Sequence, residues 1–156
     1  MSPSVIQFQT IYLAADHAGF DHKEQVRTWL LSEGLAIVDV GAYELDTLDD
    51  FPGFMQVAAK GVANNPQVNC AILFGGSGEG EAMMANRFKG VRATVYYGGE
   101  ETIIALSRQH NNANVLSIGA RFVSVDNAKK VIWDWLHTPP NSDEKYHRRN
   151  KDLDNI

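Results

Sequence analysis

Five short apolar runs alternate with segments of helical periodicity along this 156-residue chain. No other feature of the sequence restricts the possible folds as strongly. Each run has the length and apolar character of a strand buried on both faces of a sheet. Strands separated by helices pair in parallel, with right-handed crossovers that place helices on both faces. The sequence therefore predicts an α/β fold with layers of helix, sheet and helix. The predicted strands span residues 11–15, 36–40, 69–74, 91–96 and 114–118.

The composition fits a single globular domain spanning residues 1–156. Hydrophobic residues make up 44% of the chain and charged residues 21%, and no internal repeat or linker divides it. Residues 1–9 are predicted to form an N-terminal tail, and the polar residues 141–156 a C-terminal tail that is a candidate contact with a partner subunit. The single cysteine, Cys70, excludes an internal disulfide framework.

Charge and hydropathy limit the classes of partner. No apolar run approaches the ~20 residues that a membrane helix needs, and the N-terminus lacks the basic start of a signal peptide. We therefore expect a cytoplasmic protein with no membrane partner. The net charge of −5 disfavours nucleic acid, because binding a phosphate backbone requires a positive field. A few cations gathered in one pocket can nevertheless bind a small anion.

Polar residues follow three of the predicted strands, at the edge where parallel sheets bind ligands. Asp16 and His17 come directly after the first strand. A glycine-rich loop at residues 75–80 follows the third strand, and Arg121 follows the fifth. Because the carboxyl ends of parallel strands share one edge of the sheet, we expect these groups to converge.

The glycine-rich loop has two interpretations. It can be a plain strand-to-helix turn, or its unhindered N–H groups can bind an anion at a helix start. The spacing of Gly76-Ser-Gly-Glu-Gly80 is not a dinucleotide fingerprint, and the Lys-Ser/Thr ending of a P-loop is missing. Glu79 and Glu81 can simply complement the helix dipole. Beside N–H groups that bind an oxyanion, however, a carboxylate can also remove a proton from carbon, with each donor worth about 3–4 kcal/mol of barrier.

A series of motifs runs in order from residue 11 to about residue 149. They are Asp16-His-Ala-Gly19, Asp50-Phe-Pro52, Gly75-Gly-Ser-Gly-x-Gly-Glu81, Ala85-Asn86, His110-Asn-x-Ala-Asn-Val115, Gly119-x-Arg121 and His147-Arg-Arg149. Together they resemble the ribose-5-phosphate isomerase B family, which includes the galactose-6-phosphate and allose-6-phosphate isomerases. The resemblance implies a Rossmann-like three-layer sandwich with a five-stranded parallel sheet, assembled as a homodimer or homotetramer with active sites shared between subunits.

The same resemblance implies an aldose–ketose isomerase that interconverts ribose 5-phosphate and ribulose 5-phosphate through an enediolate, with no metal or cofactor. One branch of the family uses a cysteine as the base, at the position of Gly75 here. The other branch has the glutamate of Gly-Gly-Ser-Gly-x-Gly-Glu instead. This chain resembles the second branch, so Glu81 is the expected base. Cys70 lies too early in the chain to replace the missing cysteine.

Roles for further residues are also implied by the resemblance. Ser77 and the N–H groups around Gly76 and Gly78 are expected to bind the enediolate oxygens. Asp16 and His110 are expected to assist opening of the sugar ring. From the residues alone, His110 would simply be a helix-end histidine stabilised by the dipole.

Substrate contacts complete the expected site. Asn111 is expected to hydrogen-bond a substrate hydroxyl, and His17, Arg121 and Arg149 are expected to bind the phosphate, some of them from the neighbouring subunit. Considered alone, the C-terminal arginines would be solvated surface. The chain departs from the family at Lys145, where an arginine is usual, and lysine cannot make the bidentate contact that arginine makes with phosphate.

Two other functions remain open at this point. The family's tyrosine is Phe51 here, and the loss of its hydroxyl, like the lysine, is compatible with a six-carbon substrate such as allose or galactose 6-phosphate. The third interpretation is a non-catalytic module that binds a sugar phosphate. The presence of both a candidate base and a candidate ring-opening histidine favours an enzyme.

Overall fold

The structure, a computed structural model, describes residues 5–156, so residues 1–4 of the predicted N-terminal tail lie outside the described part. A single sheet flanked by helices forms the domain, which confirms the predicted α/β class. The strands are β1 (Thr10–Ala15), β2 (Ile37–Asp39), β3 (Asn69–Gly75), β4 (Ala93–Tyr96) and β5 (Val115–Gly119). The helices are α1 (Phe20–Ser32), α2 (Phe51–Asn64), α3 (Glu79–Ala85), α4 (Thr102–Asn111), α5 (Val125–His137) and α6 (Glu144–Asp154).

The five strands are parallel and lie in the order β2-β1-β3-β5-β4. From β1 the chain moves to one side to form β2, and then crosses to the other side of β1 to form β3. Open α/β sheets bind ligands at such a reversal of strand order. Ala15 is the register partner of Phe74, and Gly75 is that of Gly119. The carboxyl ends of β1, β3 and β5 therefore lie side by side, and the loops that follow them meet.

Two hydrophobic clusters cover the two faces of this sheet. Leu30 of α1 and Trp135 of α5 pack with Ile72 in one cluster, whereas Met55 of α2 packs with Leu73 in the other. Successive residues of β3 thus point to opposite faces, as in any strand, and both faces are apolar because both are covered.

Both predicted tails pack against the domain. The Phe8 ring stacks on Trp135 with the ring centroids 5.5 Å apart, which attaches the described part of the N-terminal tail to the core. The C-terminal tail contains α6, which packs against α4. Between residues 5 and 156, none of the helices has the length and apolar character required to cross a membrane.

Candidate active site

The loop between β3 and α3 leaves main-chain donors free. Within residues 5–156, the N–H groups of Gly76, Ser77 and Gly78 have no protein acceptor. Carbonyl oxygens fix the loop instead: Gly76 O accepts from Arg121 N at 3.1 Å, and Gly78 O accepts from Ser117 Oγ at 2.7 Å. Gly78 has φ +83°, a left-handed conformation that glycine adopts without strain. The loop is thus anchored through its oxygens, and its N–H groups remain available to an oxyanion.

Glu81 lies in the first turn of α3 and is 4% exposed, whereas Glu79 is exposed to solvent. A β-carbon at position 75 would overlap the Glu81 carboxyl group, so this carboxyl occupies the space of a side chain at that position. Position 75 is the one that corresponds to the cysteine of the other branch named above. The glutamate and such a cysteine would therefore bring their reactive atoms to the same part of the fold.

Burial raises the pKa of Glu81, because the ionised carboxyl loses hydration. A hydrogen bond from its own main-chain N–H favours the ionised form, and the negative charge of Asp16 favours the neutral form. The net effect is an upward shift. A carboxylate with a raised pKa is a stronger base than an exposed glutamate, which suits proton abstraction near neutral pH.

Asp16 follows β1 and is 7% exposed. Its Oδ1 atom accepts hydrogen bonds from the N–H groups of Ala18 and Gly19, at 3.0 and 3.2 Å, and so shapes the turn into α1. The Asp16 charge also raises the pKa of both Glu81 and His17. Asp16 therefore belongs to the same electrostatic cluster as these two groups.

His17 is paired with Asp49, from the loop that precedes α2. The imidazole Nδ1 lies 2.7 Å from Asp49 Oδ1, and the same oxygen accepts the His17 main-chain N–H at 3.0 Å. The Asp49 hydrogen bond raises the pKa of His17, and the charges of Asp16 and Asp49 add to the rise. Partial desolvation and the charge of Arg121 oppose it. The net upward shift favours the imidazolium form.

Arg121 follows β5 and lies over the glycine loop. A β-carbon at Gly76 would be 3.2 Å from Arg121 Nη1, so the guanidinium packs directly against the loop. None of residues 5–156 forms an ion pair with this exposed guanidinium. Arg121 also lies close enough to His17 to lower its pKa. The Arg121 guanidinium, with the His17 imidazole close by, thus adjoins a loop with free N–H donors, which is a setting for an anionic ligand.

Asp16, His17 and Asp49 are also near enough to share a metal ion, since one ligand atom from each lies within 4.8 Å of the others. Two carboxylates and an imidazole suit zinc or a similar cation. The hydrogen bonds described above, however, already engage one oxygen of each carboxylate and Nδ1 of the imidazole. These three atoms are thus already hydrogen-bonded within the protein, whereas the second Asp49 oxygen has no partner among residues 5–156.

His110, Asn111 and Arg149 do not join this cluster within one chain. His110 and Asn111 end α4, at the amino-terminal edge of the sheet, next to the start of β5. Arg149 is an exposed residue of α6, which packs against α4. The predicted site residues therefore fall into two groups, and the groups lie at opposite edges of the sheet.

Contacts with α6 and with Arg92, the residue before β4, hold the second group in place. The His110 ring stacks on Tyr146, with the centroids 4.6 Å apart and the planes inclined by 6°. Asn150 Nδ2 donates to His110 O at 3.1 Å, and Arg92 Nε donates to Asn111 O at 2.9 Å. Asn111 and Arg92 also line a cavity of about 580 Å³ at this edge. The imidazole is thus held flat beneath an aromatic ring.

Sequence reasoning missed Asp49 and Tyr146. Asp49 stands in an exposed acidic loop, where nothing in the spacing separates it from Asp46 or Asp50. The only signal is its position next to the Asp50-Phe-Pro motif. Cys70 lies at the far end of β3 from the site, fully buried, and burial raises the pKa of its thiol, which fits a packing role.

A parallel α/β sandwich that gathers charged groups at the switch point of its sheet belongs to the Rossmann-like class of small-molecule enzymes. Comparison with known proteins identifies the family within this class. The chain belongs to the Ribose/Galactose Isomerase family, whose model matches residues 11–153.

Individual proteins that resemble this chain are ribose-5-phosphate isomerases, in agreement with the family assignment. The chain is 35% identical over 139 residues to ribose-5-phosphate isomerase B of Mycolicibacterium paratuberculosis, covering 89% of this chain and 86% of the relative. It is 36% identical over 126 residues to the Escherichia coli enzyme of the same name, covering 81% and 82%. The structure of ribose-5-phosphate isomerase B from Mycoplasma genitalium, with bound ribulose 5-phosphate, superimposes with a TM-score of 0.87 at 34% identity over 93% of each chain.

Proposed function

We propose that this chain interconverts ribose 5-phosphate and ribulose 5-phosphate, with Glu81 as the base. The observation that carries the proposal is the buried Glu81 carboxylate, which lies beside a loop whose N–H groups have no acceptor among residues 5–156. Proton abstraction next to a carbonyl needs both parts: a base for the proton, and donors for the oxygen that becomes negative. The substrate follows from the names of the relatives and from the ribulose 5-phosphate bound to the Mycoplasma genitalium protein.

In the proposed reaction, Glu81 removes the proton from C2 of the open-chain aldose phosphate. The electron pair of that C–H bond forms a double bond between C1 and C2, and the oxygen on C1 becomes negative. Ser77 and the N–H groups of Gly76 and Gly78 stabilise this oxygen. Glu81 then returns a proton to C1, while the proton of the C2 hydroxyl passes to the oxygen on C1. The product is the ketose, with every atom of the substrate retained.

The cations bind the phosphate in this proposal. Arg121 packs against the glycine loop and lies close enough to His17 to lower its pKa, and the guanidinium has no competing acid among the described residues. Phosphate suits a charge-assisted pair of this kind, because its oxygens accept short hydrogen bonds from ionised donors. Asp16, the buried acid whose charge raises the pKa of Glu81, assists opening of the sugar ring.

A partner subunit supplies the rest of the proposed site. His110, Asn111 and Arg149 lie at the opposite edge of the sheet from Glu81, so one chain cannot bring both groups to one substrate. In a symmetric homodimer or homotetramer, each subunit offers both edges, and two sites form between them. His110 then acts with Asp16 in ring opening, Asn111 binds a hydroxyl, and Arg149 adds to the phosphate contacts. We place this reaction in the cytoplasm, without a metal or cofactor.

The glycine-loop carboxylates provide a matched test. We expect Glu81→Gln to lower kcat at least about 100-fold, because the amide cannot accept the proton that general base catalysis moves. Glu79→Gln removes the same charge two residues away, on an exposed side chain, and should keep kcat near that of the wild type. Undiminished turnover in a folded Glu81→Gln protein would remove Glu81 from the mechanism.

A six-carbon phosphate is the second candidate substrate, and Phe51 is the observation that favours it. The end of the Phe51 ring lies against the glycine loop, since a β-carbon at Gly80 would be 2.8 Å from Phe51 Cζ. The family's tyrosine would carry its hydroxyl at that Cζ atom, so its loss alters the polarity beside Gly80. Comparison of kcat/KM for ribose 5-phosphate, allose 6-phosphate and galactose 6-phosphate decides between the two.

A further inference from the structure

Among the proposed phosphate ligands, only His17 contacts a carboxylate of the described residues. That carboxylate belongs to Asp49 and is largely buried. The Asp49 side chain is 8% exposed and the His17 side chain 30% exposed, so the carboxylate is more buried than the imidazole that it contacts. One oxygen of Asp49 contacts both the main-chain N–H and Nδ1 of His17, at 3.0 and 2.7 Å. This double contact fixes the side chain relative to its own backbone.

The second oxygen of Asp49 has no partner among residues 5–156, although it is buried. A buried carboxylate oxygen without a hydrogen bond costs free energy, and such a group persists where another contact requires it. The contact here is the short bond to Nδ1 of His17. Within the same part of the chain, Nε2 of His17 has no acceptor, so it remains free for a ligand.

We propose that Asp49 is a positioning residue that orients His17, with Nδ1–H directed to Asp49 and Nε2–H left to bind the phosphate of the substrate. This inference rests on the proposed function for the identity of the anion. The charged groups around the imidazole are Asp49 from the loop before α2, Asp16 from the end of β1 and Arg121 from the end of β5. Both acids favour the cation, and the arginine opposes it. Asp49, helped by Asp16, therefore offsets the repulsion between His17 and Arg121.

The first measurement is an NMR titration of the His17 imidazole, assigned by its loss in His17→Asn. Asp49→Asn preserves an acceptor for the main-chain N–H but removes the charge, and we expect the pKa of His17 to fall. Glu44→Gln removes a charge from an exposed side chain in the same loop and should leave the His17 titration unchanged. An unchanged titration in Asp49→Asn overturns the proposal. This titration needs no substrate, so it tests the effect of Asp49 on His17 even if the protein does not turn over ribose 5-phosphate.

The second measurement is the pH dependence of KM for ribose 5-phosphate. We expect KM of Asp49→Asn to rise about threefold or more at pH 8 and less at pH 6, with kcat within about twofold, because the fraction of imidazolium falls tenfold per pH unit above its pKa. A purely structural role would instead change kcat and KM alike at both pH values, and that result overturns the proposal. Should Asp49→Asn fail to fold, the wild type still decides. Above its pKa, His17 must be the Nδ1–H tautomer, and an Nε2–H tautomer contradicts the inference.

Discussion

At the scale of single residues, the absence of a side chain at Gly75 determines where the candidate base, Glu81, can lie. The glycine lacks the β-carbon that would overlap the Glu81 carboxyl group, so the carboxyl can lie against the end of β3 and next to the free loop N–H groups. The identity of residue 75 and the position of the acid are therefore coupled. A glycine at this point is required by close approach, not by backbone conformation.

Gly75→Ala should displace Glu81 and lower kcat by about 100-fold, because a base moved by about 1 Å loses that much rate. The protein should also lose about 1–3 kcal/mol of stability through overpacking. Gly53→Ala is the matched control, since a β-carbon at Gly53 meets nothing within 4 Å. We expect Gly53→Ala to keep full activity. Steady-state kinetics and urea unfolding measure both effects, and an active Gly75→Ala enzyme contradicts the coupling.

The raised pKa of Glu81 predicts how stability depends on pH. Between the ordinary glutamate pKa of 4.5 and the raised value, the folded protein binds more protons than the unfolded chain. Stability therefore falls as pH rises through that window, and the loss persists at higher pH. We expect Glu81→Gln to melt a few degrees above the wild type at about pH 8, with the difference vanishing near pH 4. Equal melting temperatures at pH 8 would show that the buried carboxylate carries no such cost.

At the scale of elements, α6 holds the second group of predicted site residues in place. Besides the Tyr146 stack and the Asn150 contact with His110, both carboxylate oxygens of Asp154 accept from Arg92 Nη1, at 2.9 and 2.8 Å. The helix is thus joined to the end of α4 and to Arg92, immediately before β4. Its polar composition is compatible with this role, because the contacts are hydrogen bonds and a ring stack instead of a buried apolar face.

Tyr146→Ala should release His110 and lower the free energy of unfolding by about 1 kcal/mol, the usual worth of an aromatic pair. We also expect kcat to fall, since the imidazole loses its fixed orientation. Tyr146→Phe retains the ring and should match the wild type in both respects. Urea unfolding and initial rates test this, and wild-type behaviour of Tyr146→Ala would show that the stack contributes to neither stability nor turnover.

At the scale of the whole molecule, the proposed mechanism depends on a symmetric assembly, because the two groups of predicted site residues lie at opposite edges of the sheet. The strands run parallel, so α4 returns the chain to the amino-terminal edge before β5 begins. Glu81 and His110 therefore cannot meet within one subunit without rebuilding the sheet. The proposed enzyme is active only when a second copy brings its α4 and α6 to the glycine loop of the first.

Mixed assemblies test this requirement. Glu81→Gln and His110→Ala should each be nearly inactive alone. In a dimer formed from both, one of the two shared sites combines an intact Glu81 with an intact His110. Equal co-expression should thus restore about a quarter of wild-type activity, since half of the dimers are mixed and half of their sites are complete. Activity no greater than the sum of the separate variants would show that both residues act within one subunit.

The sequence by itself determined the α/β class, because hydrophobic periodicity and the order of elements are local properties that survive without tertiary information. It also indicated the groups at the carboxyl ends of the strands, since parallel pairing brings every such end to one edge. It did not determine the strand order, the burial that separates Glu81 from Glu79, or the pairing of Asp49 with His17. These depend on contacts between residues distant in the chain, and on which side chains lose water when the loops after β1, β3 and β5 meet. Such contacts exist only once the sheet has formed, so the tertiary structure alone decided them.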